Sequence, residues 1–193
     1  MKINKQIKLT FKTSSEITEL YRSLKIDYPK FFKMDGLSKL GFLASEMIFK
    51  DEETRFEPRE DIAIISFNRS SSLEIDKQFQ ATIQDNENYF PSPSLFVYTL
   101  PNIVNGEIAI RNKFFGETFF YICKIFDEKQ IAETVKDTFQ DNAINAVLVS
   151  WIEYVEDKKE VFMMWINKEN GDINFIEEQI KKLYNVRIKC IKY

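Results

Sequence analysis

The chain contains no histidine. Histidine is the side chain that titrates near neutral pH unaided, and it is the most frequent general base. Its absence excludes Ser-His, Cys-His and His-metal chemistry and leaves acid–base work to Glu, Asp or Lys. Cysteine is scarce as well. Cys123 and Cys190 have no metal-ligand spacing, and a cytosolic setting keeps such thiols free. Positive charge is not in excess either. The net charge is −3, and no basic stripe is present to track phosphates, which argues against a nucleic-acid partner. No run approaches the ~20 apolar residues of a membrane span. The opening MKINKQIKLTFK has no apolar stretch long enough for a signal peptide, so a cytoplasmic address is expected. Gly/Ser linkers, internal repeats and low-complexity segments are missing too. The 193 residues therefore read as a single domain, 1–193, with no cofactor and no metal implied.

What the chain has in quantity is aromatic residues, with 18 Phe and 8 Tyr. Such side chains bury large areas and favour strands and interfaces, so they imply a Phe-rich core or an apolar association surface. Periodicity supplies the elements. QIKLTFKT, 6–13, alternates as a strand, and SSEITELYRSL follows as a short helix capped by Ser14 or Ser15. Leu37, Leu40, Leu43, Ala44, Met47 and Ile48 lie at helical spacing behind Asp35 as cap. DEETRFEPRE, 51–60, reads as a charged connector. IAIISF, 62–67, is a continuous apolar run, the pattern of a strand covered on both faces. SSSLEIDKQFQATI suggests a helix, and Ser92-Pro93 and Pro101 mark two more helix starts.

After Gly116, Thr118–Cys123 reads as a buried strand. Asp127 caps an amphipathic helix with Ile131, Ala132, Val135 and Phe139 inward. Residues 144–155 and 161–166 form a strand pair across EDKKE, and so short a turn allows only antiparallel pairing. A last helix over 174–184 carries a capping box from Asn174 to Glu177, and VRIKCIKY closes as a strand. The expected class is α/β, with order βαβαβαββ, a mixed sheet covered by helices, and a C-terminal helix and strand.

Three stretches carry a resemblance: FKMDGLSKLGFLASEMI at 32–48, DIAIISFNRSSSLE at 61–74, and SPSLFVYTLPNIVNGEIAIRNKFFGET at 92–118. The third is the most specific, through Leu100-Pro101-Asn102, Gly106, Ile108-Ala109-Ile110-Arg111 and Gly116. Over roughly 32–155 the chain resembles the N-terminal half of β-ketoacyl-acyl carrier protein synthases, in the thiolase-like group. The resemblance implies a thiolase-like half. It also implies a nucleophilic cysteine at the start of the helix that follows the strand after Gly116. Counting on from Gly116 places that position near Ile125. Cys123 is the nearest thiol, two residues early and still in the strand. The family's histidines, or histidine and asparagine, come from a C-terminal half with no counterpart here.

The resemblance thus implies a shortened scaffold without the catalytic Cys/His set. The first expectation is an accessory, chain-length-factor-like partner in fatty-acid, polyketide or polyene formation. It would act as a homodimer or as a heterodimer with a full-length ketoacyl synthase, with acyl carrier protein as a further partner. The alternatives are an enzyme of altered mechanism using Cys123 or Cys190, and a module that binds an acyl chain or acyl carrier protein. Candidate interface or acyl-channel residues are Phe96, Tyr98, Asn102, Ile108, Arg111, Phe119 and Tyr121. Glu107, Arg111, Glu117 and Lys124 are charged groups near the former site. Asn68–Ser72 reads as an N-cap with a polar loop, or as an anion site at a helix start.

Overall fold

The structure is a computed structural model and describes residues 1–87 and 89–186. The chain runs β1 (Lys2–Phe11), α1 (Ser14–Ser23), a 3-10 turn (Pro29–Lys33), α2 (Gly36–Ile48), β2 (Ile62–Asn68), α3 (Leu73–Ala81), α4 (Pro93–Tyr98), α5 (Ile103–Asn112), β3 (Thr118–Ile122), α6 (Glu128–Thr138), β4 (Ala146–Val155), β5 (Lys158–Asn167), β6 (Ile173–Asn174) and α7 (Glu177–Asn185). Among the described residues, six strands make one mixed sheet in the order β3-β2-β4-β5-β1-β6. β2 lies parallel to β3 and β4, whereas β4/β5, β5/β1 and β1/β6 are antiparallel. The mixed sheet covered by helices is the expected α/β class.

Each face of the sheet has its own core. One gathers Leu9, Leu40, Leu43, Leu148, Ile152 and Met163 under α1, α2 and α5. The other gathers Ile65, Phe67, Val149, Trp151 and Phe162 under α6 and α7. All seven residues of β2 are buried, as its mainly apolar run predicts, with Ser66 and Asn68 buried through hydrogen bonds. α2 is buried almost all round, because it is pressed between the sheet and α5. α6 has the inward residues that its period demands, Ile131, Ala132 and Val135, and turns Lys129, Glu133 and Lys136 outward. Asp35 and Asp127 cap their helices as expected, each accepting two backbone N–H groups.

Several expectations are corrected. β1 begins at Lys2 rather than Gln6, because its first residues pair with β5 and β6 at long sequence separation. Thr13, not Ser14 or Ser15, caps α1. The capping box from Asn174 does not form. Asn174 belongs to β6 and accepts from the Lys2 ammonium at 2.6 Å, while Ile176 stands at the helix start. Thr118–Cys123 is not a buried strand. β3 ends at Ile122 and, among the described residues, is the sheet's edge, paired only with β2, with Thr118, Phe119 and Ile122 exposed. The expected closing strand lies outside the described residues beyond Val186, and so does Cys190.

At the amino end of β2, Asp61 accepts two hydrogen bonds from the Arg59 guanidinium, at 2.7 and 2.9 Å, and a third from Asn145. The Arg59 hydrogen bonds hold its carboxyl below the usual carboxylate range. A depressed carboxyl stabilises the fold above the unfolded-state value, near pH 4, and that contribution is lost as pH falls through the folded-state value. Asp61→Asn is therefore expected to lower stability at neutral pH and to flatten the stability profile below about pH 4. The group is partly exposed, so the effect is modest, and urea melts across the acid range would measure it.

Candidate functional site

The region implied as the former nucleophile site is the link between β3 and α6. Ile125 stands there, 64% exposed, on the bend before the Asp127 cap. Cys123 sits at the end of β3, half-buried, its N–H bonded to the Asn68 carbonyl at 2.7 Å. Burial pushes its thiol up, against a bond with Gln130 that pulls it down. Asp127 spends its carboxylate on the first N–H groups of α6. A thiolate needs those N–H groups, or a neighbouring cation, to lower its pKa. Here the position that faces the helix start carries a hydrocarbon, and the thiol lies off it.

This link forms one wall of a cleft of about 730 Å³ at the carboxyl ends of the parallel strands. Arg69, Ser70 and Leu73 follow β2, Lys124–Phe126 follow β3, and Trp151, Glu153 and Val155 come from β4. Lys158 and Tyr184 complete it. Phe126 stacks on Tyr184 with ring centroids 3.7 Å apart and meets Trp151 edge-on at 5.7 Å. Two buried carboxylates lie side by side beneath, since Glu153 on β4 is in register with Glu160 on β5. Glu160 is met by Trp151 Nε1 (3.2 Å), the Tyr184 hydroxyl (2.8 Å) and the Lys158 ammonium (2.7 Å). Glu153 accepts from the Arg69 backbone N–H. The Asn68–Ser72 loop therefore already binds a carboxylate of its own chain, and Asn68 closes it by bonding the Ser71 backbone twice.

The other sequence candidates fall into three groups. Phe96 and Phe119 are on the surface, 54% and 38% exposed, and Asn102 is exposed at the start of α5. Tyr98 is half-buried and donates to Glu107 at 2.9 Å; burial and that carboxylate raise its phenol. Tyr121 is half-buried and stacks on Phe67. Ile108 is fully buried against α2. Arg111 reaches inward to Glu46. Of the charged group, Glu107 is buried and paired with Lys30 at 2.7 Å, whereas Lys124 is exposed on the cleft wall.

Sequence reasoning missed the polar post beneath β3. Ser66, Ser150 and Asn105 are buried together, with Ser66 Oγ donating to Asn105 Oδ1 at 2.5 Å. Asn105 Nδ2 donates to the Phe119 carbonyl at 2.8 Å and so fixes the edge strand to α5.

The exposed apolar surface is concentrated between residues 89 and 125, with Phe90 76%, Ile110 66%, Phe115 66% and Ile122 60% exposed. α4 has no buried residue at all. β3 adds an open backbone edge. Glu117 accepts from Ile64, and Cys123 donates to Asn68, so alternation turns the N–H and C=O groups of Thr118, Phe120 and Ile122 outward. Among the described residues no group of three or more Asp, Glu or Cys converges to hold a metal, and no helix is long and apolar enough to cross a membrane.

Comparison with protein families finds no matching family, and no curated protein matches the chain. Solved structures do match. The chain is similar to the ishigamide ketosynthase/chain length factor, with a TM-score of 0.65 and 14% identity over 85% of this chain. It spans about half of that chain, 55%. It is also similar to a chain of the ketosynthase ApeO in complex with its chain length factor ApeC from Xenorhabdus doucetiae, with a TM-score of 0.63 and 11% identity. There the match covers 94% of this chain and 89% of that one, so the two are of nearly equal length. At such identities the likeness is one of fold, and the fold is ketosynthase-like.

Proposed function

We propose that this chain, as one domain over 1–193, is a non-catalytic relative of the condensing synthases that serves as a chain-length-factor-like partner of a complete ketosynthase. Its setting on this reading is the cytoplasm, in fatty-acid, polyketide or polyene formation. The observation that carries the proposal is a ketosynthase-like scaffold with an exposed isoleucine where the resemblance implies the nucleophile, in a chain without histidine. An enzyme of altered mechanism at Cys123 is disfavoured by the raised thiol. The likeness to ketosynthase/chain length factor chains supports the partner class.

The surface proposed for that partner is the β3 edge with α4 and the outer side of α5. An edge left unpaired among the described residues and flanked by exposed Phe and Ile side chains is a liability for a solitary chain and an asset for an interface. The test is co-expression with a ketosynthase that has an intact cysteine, followed by co-purification. Phe119→Lys with Ile122→Lys is expected to weaken the pair at least about 100-fold, since buried aromatic anchors dominate interface energies. The double variant should lose little of its melting point, because Ile122 is 60% exposed and Phe119, at 38%, is only partly covered. Retention of the partner by the double variant would refute this surface. A chain that captures no ketosynthase and purifies only as a monomer or self-dimer would refute the accessory role.

A further inference from the structure

We propose that the cavity enclosed by α4 and the starts of α2 and α3 is a binding site for a small zwitterion. The ligand would be of amino-acid size, with an ammonium group at one end and a carboxylate at the other. The cavity measures about 200 Å³. At ~30 Å³ per water it has room for roughly seven waters, so it admits a molecule of that size and little more. It is separate from the cleft beside the β3–α6 link. Met34, Leu37, Tyr98 and Tyr154 in its wall belong to, or pack on, the core beneath α2 and α5. Phe126 and Trp151 of the cleft belong to the opposite core.

Several polar groups of the wall are already spent within the chain. Asp35 accepts from the Leu37 and Ser38 N–H groups, the Tyr98 hydroxyl donates to Glu107, and the Tyr154 hydroxyl shares a hydrogen bond with Ser14. Two groups of opposite sign are not spent. Glu74 Oε2 is out of solvent and has no hydrogen-bond partner among the described residues. The one cation within ion-pair range of it there, Lys77, is 3.9 Å away, beyond hydrogen-bond reach. Buried polar atoms are nearly always satisfied, so an orphaned carboxylate oxygen marks a missing donor. The Lys39 ammonium is the counterpart. It is half-buried in the same wall, 5.7 Å from the Phe31 ring, with no ion pair among the described residues. Burial pulls it below its ordinary value, and the field of Asp35 pulls it back up. Lys33, exposed in the same wall, adds a second cation without an ion pair among those residues. A simple cation would satisfy Glu74 and leave Lys39 facing it, and a simple anion would satisfy Lys39 and leave Glu74 facing it. A zwitterion meets both, with its ammonium on Glu74 and its carboxylate toward Lys39 and Lys33.

The full chain would be titrated by isothermal calorimetry with glycine, β-alanine, γ-aminobutyrate and ε-aminocaproate, which step the two charges apart. Butyrate and butylammonium, each with one of the charges, are the controls. Saturable binding of at least one of the four, at least about tenfold tighter than either control, is the expected result. Glu74→Gln and Lys39→Met, which keep the length of each side chain, should each weaken it by a further tenfold or so. Glu74→Gln should also keep its melting point, because Oε2 has no partner to lose in the free chain. No binding of any of the four at millimolar concentration, equal binding of a control, or unchanged affinity in both variants overturns the site. So does a Glu74→Gln chain that melts well below the parent, since the carboxylate would then have a partner already. Glu74 and Lys39 lie on α3 and α2, outside the surface proposed for the ketosynthase. Co-purification of either variant with a ketosynthase therefore reads the accessory role separately.

Discussion

Gly116→Ala is expected to destabilise the chain by about 3 kcal/mol and, on the proposed function, to remove partner binding with it. A Cβ at this position would lie 2.2 Å from the Ile62 carbonyl oxygen and 2.9 Å from that of Glu60. Both are backbone atoms at the entry of β2, a fully buried strand, so no side chain can rotate out of the way. The overlap is relieved only by moving β3 away from β2. The first bond at risk is the one from the Ile64 N–H to the Glu117 carbonyl, now 2.9 Å. For a chain of this size, about 3 kcal/mol corresponds to a fall of roughly 6–12 °C in melting temperature. Gly106→Ala is the control. That glycine lies inside α5, and a Cβ there meets nothing within 4 Å. Alanine should then stabilise the free chain by about 0.5–1 kcal/mol through helix propensity alone. Urea and thermal melts of the two variants should move in opposite directions. Equal effects would mean that the close approach at Gly116 is not what holds the edge strand.

The sequence pattern spoke clearly where a single strand or helix period decides the outcome. β2 is mainly apolar and is buried on both faces, and Asp35 and Asp127 are caps because each precedes an apolar period. A link as short as EDKKE, 156–160, admits only an antiparallel pair, which β4 and β5 form, although β5 takes up Lys158–Glu160 and leaves 156–157 as the turn. Position in the sheet is another matter. TFFYIC has the composition of a central strand, yet β3 is the edge, and composition alone cannot say how many neighbours a strand has. On the proposed function its apolar character belongs to an interface. The cleft was illegible for a similar reason, since Arg69, Lys124, Trp151 and Tyr184 are brought together only by the crossing of β2, β3 and β4. The polar post of Ser66, Asn105 and Ser150 shows the same limit. Small polar residues within apolar runs give no sign of a partner until register places them side by side.

Glu46→Ala is expected to cost about 3–5 kcal/mol, the range for removing one partner of a buried ion pair. The carboxylate is on α2, with its side chain 5% exposed, and it serves two guanidinium groups. Arg111 from α5 donates through Nε at 2.8 Å and Nη2 at 3.3 Å, and Arg55 donates through Nη2. Arg55 is pulled below its ordinary value by burial, and Glu46 pulls it back up. Its Nε also holds Asn112, which in turn bonds the Ile108 carbonyl. The connector 51–60, whose composition suggests a solvated charge run, is thereby clamped to α2 and α5.

Without the carboxylate, two cations face each other in a site that Tyr28, Phe42 and Phe56 shield from water, with Arg111 centred 4.9 Å from the Tyr28 ring. Glu46→Gln keeps an acceptor but not the charge, so its loss should be smaller, about 2 kcal/mol. Adding Arg111→Met to Glu46→Ala should recover part of the loss, because one of the stranded charges is gone. Strictly additive losses in urea melts would show that the three groups are not coupled. Coupling would carry a functional consequence. α5 bears both Arg111 and Asn105, and Asn105 holds the Phe119 carbonyl, so an α5 freed from Glu46 no longer fixes the edge strand. Glu46→Ala should then weaken the proposed ketosynthase pair although it lies away from the proposed contact surface, and Phe119→Lys/Ile122→Lys should weaken it with a much smaller loss of stability. The contrast between those two variants separates the residues that build the edge from those that use it.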